Sequence, residues 1–114
     1  MSYNVYLISA NIDDIKLYKI GFTKRNVEDR VREFKTGNCL DLQIEYVINS
    51  KWGTKIEKRL HKMFVDKKIS GEWFNLSDED VINLINTSQT LHESFNIIEN
   101  ENTFVLETGG LFKK

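Results

Sequence analysis

The chain has 114 residues, of which 40% are hydrophobic and 29% are charged with both signs present. This length and composition support one compact domain with a single core. No apolar run approaches the roughly 18 residues of a membrane span, and the first residues lack the pattern of a signal peptide. The single cysteine, Cys39, excludes an internal disulfide and a multi-cysteine zinc site. The single cysteine also favours an intracellular protein, so we expect a cytoplasmic location. The absence of proline and the many Asn, Lys and Ile residues indicate AT-rich coding DNA, which favours a phage or a low-GC bacterium as the source.

Charge is unevenly distributed along the chain. The net charge is −1, but residues 1–75 carry 14 Lys and Arg against 10 Asp and Glu, whereas residues 76–114 carry 2 against 7. A partner responds to the local potential rather than to the total charge, so the first two-thirds can meet phosphate groups while the acidic remainder faces elsewhere. The alternative is an ordinary mixed surface in contact with water.

Hydrophobic alternation and periodicity predict an α+β fold. Strands are predicted at 3–9, 16–22 and 40–48, helices at 26–36, 52–65 and from 77 onward, a loop at 67–71, a short extended segment at 72–76, and a late strand at 103–106 after a broken helix beyond residue 87. The first two strands form a hairpin with a longish loop. The short connections predict a small antiparallel sheet flanked by helices.

Cap and stop residues mark three helix boundaries. Asn26 is a predicted N-cap, and Gly37-Asn38 is a predicted helix stop. Ser77 and Asp80 form a predicted capping box at the start of the third helix.

Arg30 stands out on the first predicted helix. Val27, Val31 and Phe34 form the apolar stripe of this helix, and Arg30 falls three residues after Val27 on the same stripe. A buried guanidinium without a partner is costly, so Arg30 needs an anion or an opening to water. It is therefore either a functional cation or a structural one, whose stem packs and whose head reaches water or a carboxylate.

Glu57 and His61 are four residues apart on the second predicted helix, so they project together beside its apolar stripe. One carboxylate is enough to hold a Mg²⁺ ion that keeps its waters and takes phosphate oxygens. A histidine can shuttle a proton or contact phosphate. The alternative for Glu57 is a solvated carboxylate that pairs with a neighbouring lysine.

Tyr6, Tyr18 and Lys19 lie on the paired first strands. Strand tyrosines are often half-buried packing residues. A phenol has a pKa of about 10, and it can act as a base near neutral pH only if that pKa is lowered, as a nearby Lys19 and a divalent ion would do. Farther along the chain, Glu72 precedes Trp73 and is predicted to be a cap or a wall of the site.

Taken together, these residues resemble the motifs of the GIY-YIG nuclease superfamily, and in particular its branch of small phage and bacterial domains called T5orf172 or Mug113-like. Asn4-Val5-Tyr6 stands where the superfamily has Gly-Ile-Tyr, and Lys19-Ile20-Gly21 stands where it has Tyr-Ile-Gly. The resemblance covers residues 3–76. Its remaining matches are Gly21-Phe22-Thr23, Arg30, the helix that carries Glu57, Leu60, His61 and Phe64, and Gly71-Glu72-Trp73-Phe74.

The resemblance implies a GIY-YIG-like fold with a three-stranded antiparallel sheet between helices. Residues 1–76 would form the nuclease core, and residues 77–114 would form an acidic C-terminal helix and tail that complete the single domain. The resemblance also implies a metal-dependent endonuclease that hydrolyses phosphodiester bonds, with DNA favoured over RNA as its nucleic-acid partner.

The resemblance further implies a role for each candidate residue. Tyr6 would act as the base or activate the water, and Arg30 would stabilise the charged phosphate. Glu57 would be the sole protein ligand of one Mg²⁺ or Mn²⁺ ion, with His61 in a supporting role. The cations predicted to contact nucleic acid are Lys24, Arg25 and Lys58.

Two positions depart from the superfamily pattern. Asn4 replaces the first glycine, and Lys19 replaces the usual tyrosine, so Tyr6, Tyr18 and Lys19 all remain candidate bases. No second DNA-binding module is recognised after residue 76. We expect either a compact nuclease of modest specificity or one that reaches its target through a partner or as a homodimer. The alternative function is a catalytically inactive module that binds nucleic acid or inhibits a protein.

Overall fold

The computed structural model describes residues 2–35 and 41–107, with residues 34, 35 and 101–107 described by their backbone alone. The predicted helix stop at Gly37-Asn38 and the cysteine, Cys39, lie outside the described residues. In chain order the elements are β1 (Tyr3–Ile12), β2 (Ile15–Thr23), α1 (Val27–Lys35), β3 (Asp41–Ser50), α2 (Gly53–Met63), β4 (Lys68–Ser70), β5 (Trp73–Phe74) and α3 (Asp78–Glu107). A short 3-10 turn, Val65–Lys67, follows α2.

The sheet is open and antiparallel, and its five strands have the order β3-β1-β2-β5-β4. The α+β class is confirmed, but the prediction of three strands is wrong. The two added strands, β4 and β5, contain three and two residues, and they were predicted to be a loop and an extended segment. Strands this short carry too few residues for the alternation of side chains to be recognised.

The hairpin between β1 and β2 is tighter than predicted. Ile12 pairs with Ile15, so only Asp13 and Asp14 form the turn, and the predicted longish loop is wrong. Both aspartates have positive φ angles, 49° and 67°. A two-residue turn of this kind matches the twist of the strands, and aspartate accepts the left-handed conformation more readily than most residues.

The two faces of the sheet are covered by different helices. On one face, residues of β1 and β3 pack with Val27 and Val31 of α1. The buried members of this layer are Tyr6, Ile8, Ala10, Val27, Val31 and Leu42. On the other face, α2 and α3 cover Val5, Leu7, Tyr18 and Ile20 through side chains that include Ile56, Leu60 and Leu84. Alternation along β1 therefore sends Tyr6 towards α1 and its neighbours Val5 and Leu7 towards α2.

The last helix, α3, is continuous from Asp78 to Glu107, so the predicted break beyond residue 87 and the predicted strand at 103–106 are wrong. Leu91 and Phe95 pack against the core beside α2, and this tertiary contact outweighs the weak helical signal of the local sequence. The predicted capping box at its start is confirmed. Asp80 N donates to Ser77 Oγ at 3.1 Å, and Ser77 N donates to Asp80 Oδ2 at 2.9 Å.

Candidate active site

The candidate site lies where β5 leaves the edge of β2. β5 pairs with β2 at Tyr18 and Lys19, and beyond these residues Ile20 N donates a hydrogen bond to Glu72 O at 3.1 Å. The carbonyl oxygen of Ile20 faces the same edge and accepts a hydrogen bond from His61 Nε2 at 2.8 Å. His61 thus binds a carbonyl oxygen of β2 to which a further residue of β5 would otherwise donate. Because β5 no longer covers this edge, side chains from both sheet faces can approach it.

Gly21 makes room for the Tyr6 ring. The two residues are direct partners across β1 and β2. A Cβ atom at Gly21 would lie 2.6 Å from Tyr6 Cζ and 2.9 Å from Glu72 Oε1, distances that real Cβ atoms do not show. The absence of a side chain at Gly21 therefore lets the Tyr6 phenol cross the strand towards the open edge, where it meets the Glu72 carboxylate. Tyr6 itself is 2% exposed.

Arg30 reaches the same phenol from α1. Its guanidinium donates a hydrogen bond to the Tyr6 hydroxyl, and its Nη1 donates to Glu33 Oε2 at 3.1 Å. Glu33 also pairs with Arg25. The Arg30 side chain is 38% exposed, so the guanidinium lies at an opening to water although its position in sequence falls on the apolar stripe. Because Val27 and Val31 are buried, Arg30 lies at the border of the stripe, where its stem packs and its head reaches both Tyr6 and water.

Glu57 and His61 enter from α2, one helical turn apart, with Glu57 Oε2 3.9 Å from His61 Nε2. Their side chains are 13% and 21% exposed. The His61 ring also meets Phe74 edge-on, with centroids 4.9 Å apart. A carbonyl oxygen can only accept, so the bond to Ile20 places a proton on Nε2 of His61. In this arrangement His61 anchors α2 to the sheet edge beside Glu57.

Glu72 was predicted to be a cap or a wall of the site, and its position fits the second alternative. Its carboxylate lies against the position of Gly21, near the Tyr6 phenol, and 3.5 Å from Lys19 Nζ. Its side chain is 43% exposed, so it forms the mouth of the site. The pairing of Trp73 with Lys19 brings it there, and that two-residue pairing has no recognisable sequence signal.

Lys19 and Tyr18 have different surroundings, although they are neighbours in sequence. Lys19 shares a sheet face with Gly21, and its ammonium lies between Glu72 and the Trp73 ring, 5.5 Å from the ring centroid. Tyr18 is 4% exposed and belongs to the core under α2 and α3. Lys19 thus pairs with Glu72, which in turn lies near Tyr6, whereas the Tyr18 ring lies on the opposite face of the sheet.

The three cations predicted to contact nucleic acid are all on the surface. Lys24 follows β2, and its Nζ lies 5.5 Å from the centroid of the Tyr3 ring. The Arg25 side chain is 57% exposed and pairs with Glu33. Lys58 is exposed on α2, next to Glu57. The first two lie beyond the open end of β2 and the third beside the carboxylate, so they surround the site without entering it.

Two pKa shifts describe the electrostatics of the site. Burial raises the pKa of the Tyr6 hydroxyl above its ordinary value, and the carboxylates of Glu72 and Glu57 raise it further, against the lowering effect of Arg30. Burial also raises the pKa of Glu57, and Glu72 adds to this shift while His61 and Lys58 oppose it. The carboxylates of Glu57 and Glu72 both raise the pKa of the Tyr6 phenol, so they form a negative region that a cation would relieve.

A divalent ion fits the chemistry of this region. Carboxylate oxygens are the ligands that Mg²⁺ and Mn²⁺ prefer, and Mg²⁺ usually keeps several waters, so Glu57 and the more exposed Glu72 are the residues that could hold such an ion. Within the described residues there is no group of three or more His, Cys, Asp or Glu side chains placed to hold a metal. An ion here would therefore need water or phosphate oxygens to complete its coordination.

None of the helices in the described ranges is long and apolar enough to cross a membrane.

One protein-family model matches the part of the chain that carries these residues. The model of the T5orf172 domain matches residues 4–89, a stretch that contains every candidate residue named above. No curated protein and no solved structure matches the chain. The T5orf172 domain is associated with the nuclease-like GIY-YIG superfamily, which indicates a nuclease-like module that binds nucleic acid. The chain therefore belongs to the T5orf172 domain family, as the resemblance of its motifs predicted.

Proposed function

We propose that the protein is a metal-dependent endonuclease that hydrolyses phosphodiester bonds in DNA. The observation that supports this most strongly is the meeting of three groups from three elements at one sheet edge. Tyr6 from β1 accepts a hydrogen bond from Arg30 of α1, and it interacts electrostatically with Glu57 of α2. A phenol, a guanidinium and a partly buried carboxylate at one opening match the needs of phosphodiester cleavage better than those of packing.

Glu57 is the group that would hold one Mg²⁺ or Mn²⁺ ion, and Glu72 lies where it can add a second oxygen or a water-mediated contact. When bound, such an ion supplies Lewis acidity at a phosphate oxygen and lowers the pKa of bound water. Its charge would also neutralise the two carboxylates, which removes one cause of the high pKa of Tyr6. His61 holds the helix turn that carries Glu57 by donating its Nε2 proton to Ile20 O.

Arg30 would bind a non-bridging phosphate oxygen with the part of its guanidinium that faces water. Its planar fork can serve the Tyr6 hydroxyl and a phosphate at the same time. Tyr6 keeps its proton near neutral pH while Glu57 and Glu72 are charged and without a cation, because its pKa is raised. This favours a role in orienting the attacking water over a role as a free phenolate. Lys19 remains an alternative base, although its ammonium is paired with Glu72.

Surface cations would hold the nucleic-acid backbone on both sides of the opening. Lys24 and Arg25 lie beyond the end of β2, and Lys58 lies next to Glu57. Phosphate contacts of this kind release counterions, so binding should weaken steeply with salt.

The proposal is tested with end-labelled oligonucleotides. Wild-type protein is incubated with double-stranded DNA, single-stranded DNA and RNA of the same sequence, in Mg²⁺, in Mn²⁺ and in EDTA. Glu57→Gln, Arg30→Gln and Tyr6→Phe are assayed beside it, with circular dichroism to show that each variant is folded. Cleavage of DNA that needs the metal and is lost in Glu57→Gln and Arg30→Gln would support the proposal. Salt-sensitive binding without cleavage of any substrate would replace it with the catalytically inactive binding module.

A further inference from the structure

Two aromatic rings lie directly beside the candidate site. Phe22 follows Gly21 on β2 and pairs with Val5 of β1. Its ring meets the ring of Tyr3 edge-on, with centroids 5.8 Å apart and planes at 83°. Phe22 is 40% exposed, and among the side chains that the structure describes it is the aromatic one with the greatest access to water. The Tyr3 contact fixes the Phe22 ring while leaving part of it uncovered.

A cation completes this surface. Lys24 is exposed, and its Nζ lies 5.5 Å from the centroid of the Tyr3 ring. Single-stranded nucleic acid is bound in general by aromatic side chains that stack on bases, together with cations that contact the backbone. A ring that is already held by a neighbour loses little conformational entropy when a base stacks on it.

The two rings lie on the sheet face that α2 covers, the helix that carries Glu57. Alternation along β2 places Phe22 on the face opposite to Gly21, which is the face that α2 covers. A Cβ atom at Gly53 would meet Tyr3 and Val5, so Tyr3 packs against the start of α2. Glu57 is one helical turn farther along α2. The rings therefore lie between the first turn of α2 and the open edge of β2.

A single exposed phenylalanine needs no functional explanation. Here, however, the exposed ring is held by a second ring, and a cation stands over that second ring. These two contacts together match the chemistry of a nucleotide, which has a flat apolar base and a charged phosphate. A protein partner would require a larger apolar patch around Phe22, whereas the exposed Lys24 that follows the strand is charged.

We propose that Phe22 and Tyr3 form a platform on which an unpaired base of the substrate stacks, with Lys24 on an adjoining phosphate. This inference rests on the proposed function and narrows its substrate class to DNA with a single-stranded segment at the point of cleavage. In an intact duplex the bases are stacked on one another, so the platform would have nothing to bind without unpairing.

The platform is tested by binding in EDTA, where no metal-dependent cleavage can occur. Phe22→Trp places a fluorescent indole in the platform, and Ile12→Trp places one at the hairpin end of the same sheet, where Ile12 is 36% exposed. Each variant is titrated with single-stranded DNA and with a blunt duplex of the same sequence. We expect single-stranded DNA to quench the indole of Phe22→Trp and to leave that of Ile12→Trp unchanged. Phe22→Ala should weaken single-strand binding about tenfold, Phe22→Tyr should restore it, and duplex binding should not change.

Equal responses of Phe22→Trp and Ile12→Trp would overturn the platform, as would equal weakening of single-strand and duplex binding in Phe22→Ala. So would a folded wild-type protein that does not bind single-stranded DNA. Cleavage is measured separately. Cleavage of DNA without this quenching would support the proposed nuclease activity and rule out the platform. Quenching without cleavage would support the platform and rule out the proposed nuclease activity.

Discussion

The Arg30 guanidinium donates a hydrogen bond to the Tyr6 hydroxyl, across the space between helix α1 and strand β1. This bond joins a side chain that is 2% exposed to one that is more than a third exposed. The buried phenol is thereby connected with a cation that can meet phosphate, which is the geometric basis of the proposed chemistry.

We expect Arg30→Lys to lower the cleavage rate by about 100-fold, because an ammonium cannot hold the Tyr6 hydroxyl and a phosphate oxygen in one plane. Single-turnover rates at saturating DNA measure the effect. Arg32→Lys is the matched control, because Arg32 lies on the same helix, is 74% exposed and pairs with Asp29 at 3.0 Å. Similar rates for the two lysine variants would remove Arg30 from the chemistry.

Gly21→Ala should impair both the fold and the site, because the added Cβ would displace the Tyr6 ring or the Glu72 carboxylate. We expect a loss of about 1–3 kcal/mol in the free energy of unfolding, measured in urea. Gly53→Ala is the control, because it crowds Tyr3 at the start of α2. Both variants should be destabilised. A displaced Tyr3 in Gly53→Ala can weaken DNA binding, so activity per folded molecule is compared at saturating DNA, where only Gly21→Ala should lose the cleavage step that depends on Tyr6. Retained activity in Gly21→Ala would show that the position of Tyr6 is unimportant.

Removal of the Glu33 carboxylate should tighten DNA binding. Glu33 pairs with both Arg25 and Arg30, and the Arg25 side chain lowers the pKa of this carboxyl, so Glu33 is charged at neutral pH and competes with phosphate. We expect Glu33→Gln to raise affinity about fivefold at low salt, as measured by fluorescence anisotropy. Glu28→Gln, on the same helix, changes the net charge equally. An equal gain in both variants would mean that only the total charge matters.

The capping box should make stability depend on pH in a known direction. Lys67 and then the Ser77 N–H lower the pKa of Asp80 in the folded protein. The stabilisation from Asp80 is therefore complete above the unfolded pKa of about 3.9, and it is lost as the pH falls through the lower folded pKa. Asp80→Asn should cost about 1 kcal/mol at neutral pH and progressively less in acid, as measured by urea unfolding. The exposed Asp66→Asn should show little change. A constant difference at all pH values for Asp80→Asn would contradict the assignment.

Sequence patterns predicted those features that depend on long or repeated signals. The alternation of β1 and β2 is found in the structure, and so is the capping of α1 by Asn26, where Glu28 N donates to Asn26 Oδ1 at 2.8 Å. Of the predicted helix stripes, Val27 and Val31 of α1 and Ile56 and Leu60 of α2 are buried. The resemblance of the motifs predicted the family. These signals act within a few residues or repeat several times, so they can be recognised without tertiary contacts.

Sequence patterns left open, or did not predict, the features that depend on tertiary contacts. The entry of Glu72 into the site follows from a two-residue pairing of β5 with β2, and the side of the sheet on which Tyr18 lies follows from strand register. The continuity of α3 depends on Leu91 and Phe95 packing on the core. A partly buried network adds to this, because Ser50 Oγ is 2.7 Å from His92 Nδ1 and Trp52 Nε1 donates to Asn96 Oδ1 at 2.8 Å. These two hydrogen bonds join residues 42 and 44 positions apart.

The most direct test of the central claim compares wild-type protein with Glu57→Gln on supercoiled plasmid, in Mg²⁺ or Mn²⁺ and at equal concentrations of folded protein. The substitution keeps the shape of the side chain and removes the charge that would hold the ion. We expect wild-type protein to nick or linearise the plasmid, EDTA to stop the reaction, and Glu57→Gln to leave the plasmid supercoiled. Equal cleavage by the two proteins, or an intact plasmid with well-folded wild-type protein, would contradict the assignment of a metal-dependent nuclease centred on Glu57.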